Sequence, residues 1–303
     1  MKTPTTRYRH SRAAAASVFV AACLCVAGCP PPNEPIPPDL PRTPRTNAEI
    51  IRTIEINNRL LDRALWSNSV TVKARFEDSD GKEHPYNLEG SFLFDRPRRL
   101  LIDLRPGLGN KVMQIGSNDD DYWFWIEPEV GVMRWGRHRH VGKPGVDRAG
   151  IRPDHLVSAL GFADLQLSEQ GLIGPDRVWG KTYDKLRYMR ETRDGGFVSD
   201  REYHIDRDPP YLMRVVIFRD EFGRRVMSAF LDDYKPAWEG GPMVAHHINV
   251  DWPREKARFT MWLARVRGVE DIEPEAFARP TDDKLPAGVR DIVQIDAVCD
   301  KQD

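Results

Sequence analysis

The sequence of 303 residues contains little cysteine and offers few partners for disulfide bonds. Its four cysteines are Cys23, Cys25, Cys29 and Cys299. If the chain is cut before Cys29 and this residue is then modified, Cys299 is the one free thiol and no intramolecular disulfide can form. A folded domain of this sequence would therefore be held together by its apolar core, for which the length is sufficient.

The apolar segment near the start of the chain is too short for a membrane-spanning helix. The stretch "AAAASVFVAACLCVAG" has about 16 residues, whereas a spanning helix needs about 20. Four basic residues and no acidic residue precede it. A basic region followed by a short apolar region is typical of a secretory signal peptide, so we predict one over residues 1–28.

The sequence lacks the short motifs of several enzyme classes. It has no G-x-S-x-G, no phosphate-binding loop, no H-E-x-x-H, and no cysteine beside a plausible base. His138 and His140 are spaced to share one face of a strand, but no further ligand stands at a helpful spacing for zinc. The acidic turn at residues 118–121 lacks the ligand pattern of a calcium loop. We predict no enzyme, no metal site and no cofactor, with a hydrolase of the cell envelope as a lesser alternative.

The chain also lacks an excess of basic residues. Its net charge is −1, and removal of residues 1–28 makes it −5 because four basic and no acidic residues are lost. This balance argues against a nucleic-acid partner. With 40% hydrophobic and 30% charged residues, the composition is that of a globular protein.

The junction that ends the signal peptide has an unusual sequence. Three small or β-branched residues, "VAG", stand directly before Cys29, and Pro30 follows it. This arrangement resembles the lipobox of bacterial lipoproteins. The resemblance implies that the thiol of Cys29 is acylated, as with palmitate, and anchors the protein to a membrane. In that family an aspartate after the cysteine retains the protein at the inner membrane, so Pro30 implies the outer membrane. The alternative is ordinary cleavage with a free cysteine.

Prolines dominate the next segment, residues 29–45. The stretch "PPPNEPIPPDLPRTP" cannot form a helix or a central strand. It is typical of an extended, semi-rigid spacer with polyproline character. We therefore expect a folded domain over residues 46–281, and we leave residues 282–303 as a C-terminal tail without an assigned structure.

Two segments have helical patterns. Thr46 and Glu49 form a capping box, and apolar residues recur at helical spacing as far as Leu65, which predicts a helix from about Asn47 to Trp66. A second, shorter helix is predicted over Pro153–Phe162, with Asp154 as its N-cap and Gly161 as its stop.

The rest of the domain alternates apolar and polar residues between glycine, aspartate and proline turns. This pattern predicts about eleven antiparallel strands in a mainly β (α+β) fold. Two helices are too few to fill a closed barrel of this size. We therefore expect a single strongly curved antiparallel sheet that forms an open half-barrel, with the N-terminal helix and the short central helix as a lid over an apolar cavity.

The order of these elements resembles the LolA/LolB-like family of periplasmic lipoprotein carriers and outer-membrane lipoprotein receptors. The resemblance depends on "LIDLRPGLGNKVMQIG" (101–116), on "PDHLVSALGF" (153–162) and on the strand pattern over 203–236. It implies a half-barrel whose apolar interior holds acyl chains without any bond chemistry. It also implies that Leu108 lies in a loop that delivers cargo to the membrane. The alternative for Leu108 is a buried turn residue or an isolated surface residue.

Large aromatic and aliphatic side chains suit the lining of an apolar cavity, with ordinary core packing as the alternative. The residues that we predict to line the cavity are Trp123, Trp125, Trp135, Phe92, Phe94, Phe218, Phe230, Trp262, Ile54 and Leu61. The predicted protein is a monomeric, lipid-anchored periplasmic protein that binds acyl chains or lipoproteins and serves in outer-membrane lipoprotein sorting or localisation. The alternative is an assembly lipoprotein that binds another envelope protein through its sheet and has no lipid cavity.

Overall fold

A computed structural model of the chain describes residues 45–77, 80–126, 131–141, 143, 146, 152–169, 171–180, 182–281, 285 and 288–299. The predicted signal peptide, Cys29 and all but the last residue of the predicted spacer lie outside the described residues. Within the described part of the chain, no helix is both long enough and apolar enough to span a membrane.

The described domain is mainly β, as the alternating sequence pattern predicts. Fifteen strands belong to one sheet. They are β1 (Ala64–Glu77), β2 (Glu83–Asp95), β3 (Arg99–Arg105), β4 (Met113–Ser117), β5 (Asp121–Ile126), β6 (Val132–Arg137), β7 (Ile173–Trp179), β8 (Tyr183–Glu191), β9 (Phe197–Asp206), β10 (Met213–Arg219), β11 (Arg225–Pro236), β12 (Met243–Trp252), β13 (Ala257–Ala264), β14 (Arg267–Val269) and β15 (Asp291–Gln294).

The sheet consists of two antiparallel meanders joined side by side. Strands β1 to β6 form the first and β7 to β13 the second, and the return of β13 to pair with β1 joins them. The short strand β14 also pairs with β1. At the two ends of this order, β7 pairs with β8 and β15 pairs with β6, so the sheet is open rather than closed.

The predicted strand count of about eleven was too low, and the sheet is not wholly antiparallel. The missed strands β7, β14 and β15 are short or irregular, and β7 contains Pro175 and a shift in register. Such segments carry too few alternating residues to be recognised from the sequence. β15 runs parallel to β6, so part of the predicted tail belongs to the same sheet as the rest of the domain.

The first helix, α1 (Asn47–Arg59), begins where the sequence predicts and ends earlier. The capping box is confirmed: the N–H of Glu49 donates to Oγ1 of Thr46, and the N–H of Thr46 donates to the Glu49 carboxylate. Hydrogen bonds from the N–H and the hydroxyl of Thr46 to the carboxylate lower the pKa of Glu49. The predicted end at Trp66 was wrong, because Leu65 and Trp66 belong to β1 and pair with β2.

The second helix, α2 (Pro153–Ala159), is also shorter than predicted. Its N-cap is Arg152 rather than Asp154, because Pro153 occupies the first helical position, where the fixed φ of proline fits. Gly161 has a φ of 87°, which confirms its predicted role at the end of the helix. Two short 3-10 helices, His138–His140 and Pro274–Phe277, complete the described elements.

The two faces of the sheet have different surroundings. We call the face that contacts α1 and α2 the inner face and the opposite face the outer face. One cluster of buried side chains spans the inner face from β5 to β8 in the order of the sheet and includes both helices. A second, smaller cluster lies on the outer face of β5 and β6, under the C-terminal segment.

Candidate functional site

The contact between α1 and the inner face is a candidate site in the described domain. Ile50, Ile51 and Ile54 of α1 are buried. The same buried cluster contains alternate side chains of the central strands, such as Val72 of β1 and Met261 of β13. These three side chains of α1 are aliphatic, so its contact with the sheet depends on apolar burial.

The polar attachments of α1 lie near its two ends. Near the C-terminal end, Nδ2 of Asn57 donates to the carbonyl of Met243 at 3.1 Å, and the N–H of Met243 donates to Oδ1 of Asn57 at 2.7 Å. Beside it, Nδ2 of Asn58 donates to the carbonyl of Ala163 at 3.1 Å, and Arg96 donates to the carbonyl of Asn58 at 2.8 Å.

At the N-terminal end of α1, Nδ2 of Asn47 donates to the carbonyl of Pro175 at 2.6 Å. The helix therefore reaches from β7, an edge strand, to the start of β12. Its C-terminal end is fixed by four side-chain hydrogen bonds and its N-terminal end by fewer.

The second helix and the segment after it cover another part of the inner face. Phe162 stacks on Phe94 with ring centroids 5.5 Å apart, and His155 of α2 stacks on Phe218 at 4.1 Å. Leu156 and Leu160 are buried in the same cluster. Both helices thus place their own apolar side chains where the sequence predicts a cavity.

Buried side chains of α1, α2 and the sheet lie together in one cluster on the inner face. Two clefts formed by described residues, of about 530 Å³ and 430 Å³, have charged linings that include no residue of α1 or α2. The first lies beside Asp120 and Arg137, and the second lies beside Lys73 and Arg258. Neither cleft is the predicted hollow beneath the helices, which stays a prediction.

The structure brings five of the predicted lining residues together in the inner cluster. They are Phe92 and Phe94 of β2, Phe218 of β10, Ile54 of α1, and Leu61, which follows α1. Phe94 is 0% exposed and pairs across the sheet with Leu65. These five residues thus share one buried cluster with side chains of both helices.

Three predicted tryptophans lie on the outer face instead. Trp123, Trp125 and Trp135 alternate with inner-face residues such as Phe124, so they cannot line the same space. Nε1 of Trp123 donates to Gln114 at 3.1 Å, and Val289 packs on the cluster. The three tryptophans therefore lie apart from the inner cluster.

The last two predicted lining residues are on the outer face in contact with solvent. Phe230 is 51% exposed and Trp262 is 36% exposed. Trp262 stacks on His247 with ring centroids 5.3 Å apart. The sequence pattern did not show which alternate residues of a strand face the interior. In the structure, both side chains lie on the face away from it.

Leu108 lies between β3 and β4 and is fully exposed. The loop is closed by a hydrogen bond of 2.8 Å from the N–H of Gly109 to the carbonyl of Pro106. Gly107 has a positive φ of 48°, which suits a tight turn. The turn thus holds one large apolar side chain in solvent.

The histidines of the H-x-H pair take part in separate interactions. Nε2 of His138 lies 3.0 Å from Oγ of Ser117, and Nδ1 of His140 lies 2.7 Å from the buried Asp296. Among the described residues, no group of three or more histidine, cysteine, aspartate or glutamate side chains is placed to hold a metal ion.

Sequence reasoning missed the polar groups at the two ends of α1. Asn57 and Met243 are 186 residues apart in the chain, and Asn47 and Pro175 are 128 apart. No local pattern marks such pairs, because only the folded sheet brings them together. The same holds for Arg45 and Arg207, which approach one carboxylate, Asp184.

No protein-family model matches the chain, and no curated protein sequence matches it. The chain is similar in structure to a putative outer membrane lipoprotein-sorting protein domain from Vibrio parahaemolyticus, at 13% identity and a TM-score of 0.44, over 76% of this chain and 97% of that one. It is also similar to a LolA superfamily protein from Nitrosomonas europaea, at 11% identity and a TM-score of 0.45, over 78% of this chain and 99% of that one.

A third similar structure is a DUF1329 family protein from Desulfovibrio piger. The identity is 16% and the TM-score 0.42, over 76% of this chain and 96% of that one.

Proposed function

We propose that the protein binds the acyl chain of a lipid or lipoprotein between the inner face of its sheet and the helices α1 and α2. The observation that supports this is the construction of α1. Its contact with the sheet is aliphatic, and its polar attachments lie at its ends. A cover of this kind can be exchanged for another apolar group without leaving buried polar atoms unpaired.

Burial of the α1 isoleucines and burial of an acyl chain contribute free energies of similar size. Burial of one isoleucine side chain contributes about 1.5–3 kcal/mol, so the three isoleucines of α1 contribute roughly 5–9 kcal/mol. An acyl chain of about 12 methylene groups contributes about 10 kcal/mol at about 0.8 kcal/mol per group. A bound chain can therefore replace α1 on the inner face, with the helix turning about its better attached C-terminal end.

The proposal includes the cellular setting that the sequence implies. The open sheet acts as a half-barrel, α1 and α2 act as its lid, and acylated Cys29 anchors the monomer to the outer membrane on the periplasmic side. The spacer lets the domain reach away from its anchor. No bond is made or broken, and cargo moves according to differences in apolar burial.

The direct test is a binding measurement on the domain purified without detergent. We expect bound lipid by native mass spectrometry, or saturable uptake of a fluorescent fatty acid. The absence of both, in a domain shown to be folded, would refute the proposal.

The amide of Asn47 offers a way to change lid opening without altering the interior. In the variant Asn47→Ala, the N-terminal end of α1 loses its hydrogen bond to the carbonyl of Pro175, worth about 0.5–1.5 kcal/mol. We expect uptake of the fluorescent fatty acid to become roughly 2- to 12-fold faster, as measured by stopped-flow fluorescence. The matched control is Asn249→Ala, which removes a hydrogen-bonded asparagine from the outer face. Equal uptake rates in the two variants would show that α1 does not move.

Leu108 is proposed to insert into the membrane when cargo is delivered. We expect Leu108→Glu to leave stability within about 0.5 kcal/mol, because the side chain is fully exposed. Transfer of a fluorescent acyl chain to vesicles should fall at least roughly tenfold, since a carboxylate does not enter the bilayer boundary. A Phe222→Glu control changes an exposed apolar residue in another turn. If both variants transfer the chain as wild type does, Leu108 has no role in delivery.

A further inference from the structure

Three arginines and one carboxylate lie together beside the N-terminal end of α1. Arg45 precedes the helix, Arg177 is on β7, and Arg207 follows β9 directly. The carboxylate is Asp184 of β8, whose strand partner is the core residue Ile205, so it lies on the inner face. The group therefore stands at the margin of the space that the proposed ligand occupies.

The Asp184 carboxylate is too far from the neighbouring guanidinium groups to accept their hydrogen bonds. Nη2 of Arg45 is 3.7 Å and Nε of Arg207 is 3.8 Å from Asp184, both too far for a hydrogen bond. The side chain of Arg207 is 6% exposed. Among the described residues, no hydrogen-bond partner is present for the buried Nε and Nη2 of Arg207, Nη1 of Arg45 or Nη1 of Arg177.

Aromatic rings hold these guanidinium groups in place. Cζ of Arg45 lies 3.7 Å from the ring centroid of Tyr211, and Cζ of Arg177 lies 3.9 Å from that of Trp179. Arg207 approaches the ring of Trp179 at 5.8 Å. Stacking restrains the planar groups. Nη2 of Arg45 and Nη1 of Arg207 donate to the carbonyls of Asp206 and Gly180, and the N–H groups without a partner remain available to a ligand.

The local charge balance favours an anion. Three guanidinium groups face one buried carboxylate, and the Glu49 carboxylate close to them is already bonded to Thr46. The N-terminal end of α1 adds a partial positive charge. A buried donor without a partner is destabilising, so a ligand that brings several acceptor oxygens gains affinity from each donor it satisfies.

We propose that Arg45, Arg177 and Arg207 bind the oxyanion head group of an amphiphile whose acyl chain lies beneath α1. This inference rests on the proposed function and narrows it: the ligand is an anionic amphiphile, with a phosphate or a carboxylate at the end of the chain that reaches β7. Head group and chain are then recognised separately, one by the arginines and one by the apolar interior.

Two lipids that differ by one phosphate provide the test. Binding of 1-lauroylglycerol 3-phosphate and of 1-lauroylglycerol is measured by calorimetry, below the concentrations at which they form micelles. For the wild-type domain we expect at least tenfold tighter binding of the phosphate, with the ratio falling as salt is added. Lauric acid serves as a separate arm and shows whether a carboxylate is accepted as well.

Substitution of single arginines tests whether they cause the preference for the phosphate. Arg177→Gln and Arg207→Gln should each reduce the ratio at least fivefold and leave the affinity for 1-lauroylglycerol within twofold. Arg187→Gln is the matched control, since Arg187 bonds Asp176 and is partly exposed. Arg177 and Arg207 belong to separate segments of the sheet, so each variant tests the idea even if the other does not fold.

The possible failures are distinct. If both lipids bind equally well to the wild type, or if the arginine variants keep the ratio, the head-group site is refuted and the acyl-chain proposal stands. If neither lipid binds, both proposals are refuted.

Discussion

Replacement of Phe94 by alanine is expected to lower the free energy of unfolding by about 3–5 kcal/mol, as found for large aromatic residues in cores. Phe94 is 0% exposed and stacks on Phe162 beneath the segment that follows α2. The measurement is urea unfolding followed by circular dichroism. The void left in the interior is apolar, so we also expect small hydrocarbons such as benzene to bind and to raise the Tm of the variant.

Phe230 provides the matched control for this prediction. It is the same residue type on the outer face and is 51% exposed. Phe230→Ala should change stability by no more than about 0.5 kcal/mol and should not create a benzene site. Similar losses in the two variants would mean that the assignment of inner and outer faces is incorrect.

Replacement of Asp296 by alanine is expected to cost about 3–5 kcal/mol at neutral pH, the range for removing one partner of a buried pair. Asp296 accepts from the N–H of Arg137 at 2.8 Å and from Gln294 at 2.9 Å, and it lies 2.7 Å from Nδ1 of the buried His140. These bonds hold the C-terminal segment over Trp123 and Trp125. We therefore also expect faster hydrogen exchange in β15.

The stability that Asp296 contributes should decrease only as the pH falls. Burial by itself would raise the pKa of Asp296, but hydrogen bonds from Arg137, Gln294 and His140 outweigh it and hold the pKa below the ordinary value of 3.8. A lowered folded-state pKa means that the stabilisation is complete above about pH 4 and is lost as the pH falls through the folded-state value.

Urea unfolding of wild type and variant between pH 3 and pH 7 measures this dependence. The stability difference should shrink only at the acidic end. Asp176→Ala is the control, since Asp176 is an exposed partner of Arg187 and should matter by less than about 1 kcal/mol. A difference that does not change with pH would contradict the assigned bonding of Asp296.

Local patterns in the sequence determine much of the secondary structure. The capping box at Thr46 and Glu49 is a short-range hydrogen-bond motif, so it could be recognised without tertiary information. Alternation of apolar and polar residues likewise identified long strands such as β1 and β13. Leu108 stands out in the sequence because proline and glycine residues surround it in a turn.

Other features depended on long-range contacts. The pairing of Leu65 with Phe94 ends α1 early, although the helical spacing continues through Leu61 and Leu65. The C-terminal strand β15 has four residues and is defined by its partner β6 rather than by its own pattern. Strand parity relative to the helices placed Trp123 and Trp262 away from the interior.

The sequence by itself determined a mainly β domain, the start of its first helix and an ample supply of apolar side chains. Only the tertiary structure decided which face of the sheet is covered, that α1 and α2 share the buried cluster of that face, and that arginines 162 residues apart, Arg45 and Arg207, approach one carboxylate. The physical reason is that alternation reveals that a strand has two faces, whereas the packing of distant elements determines which of them becomes the interior.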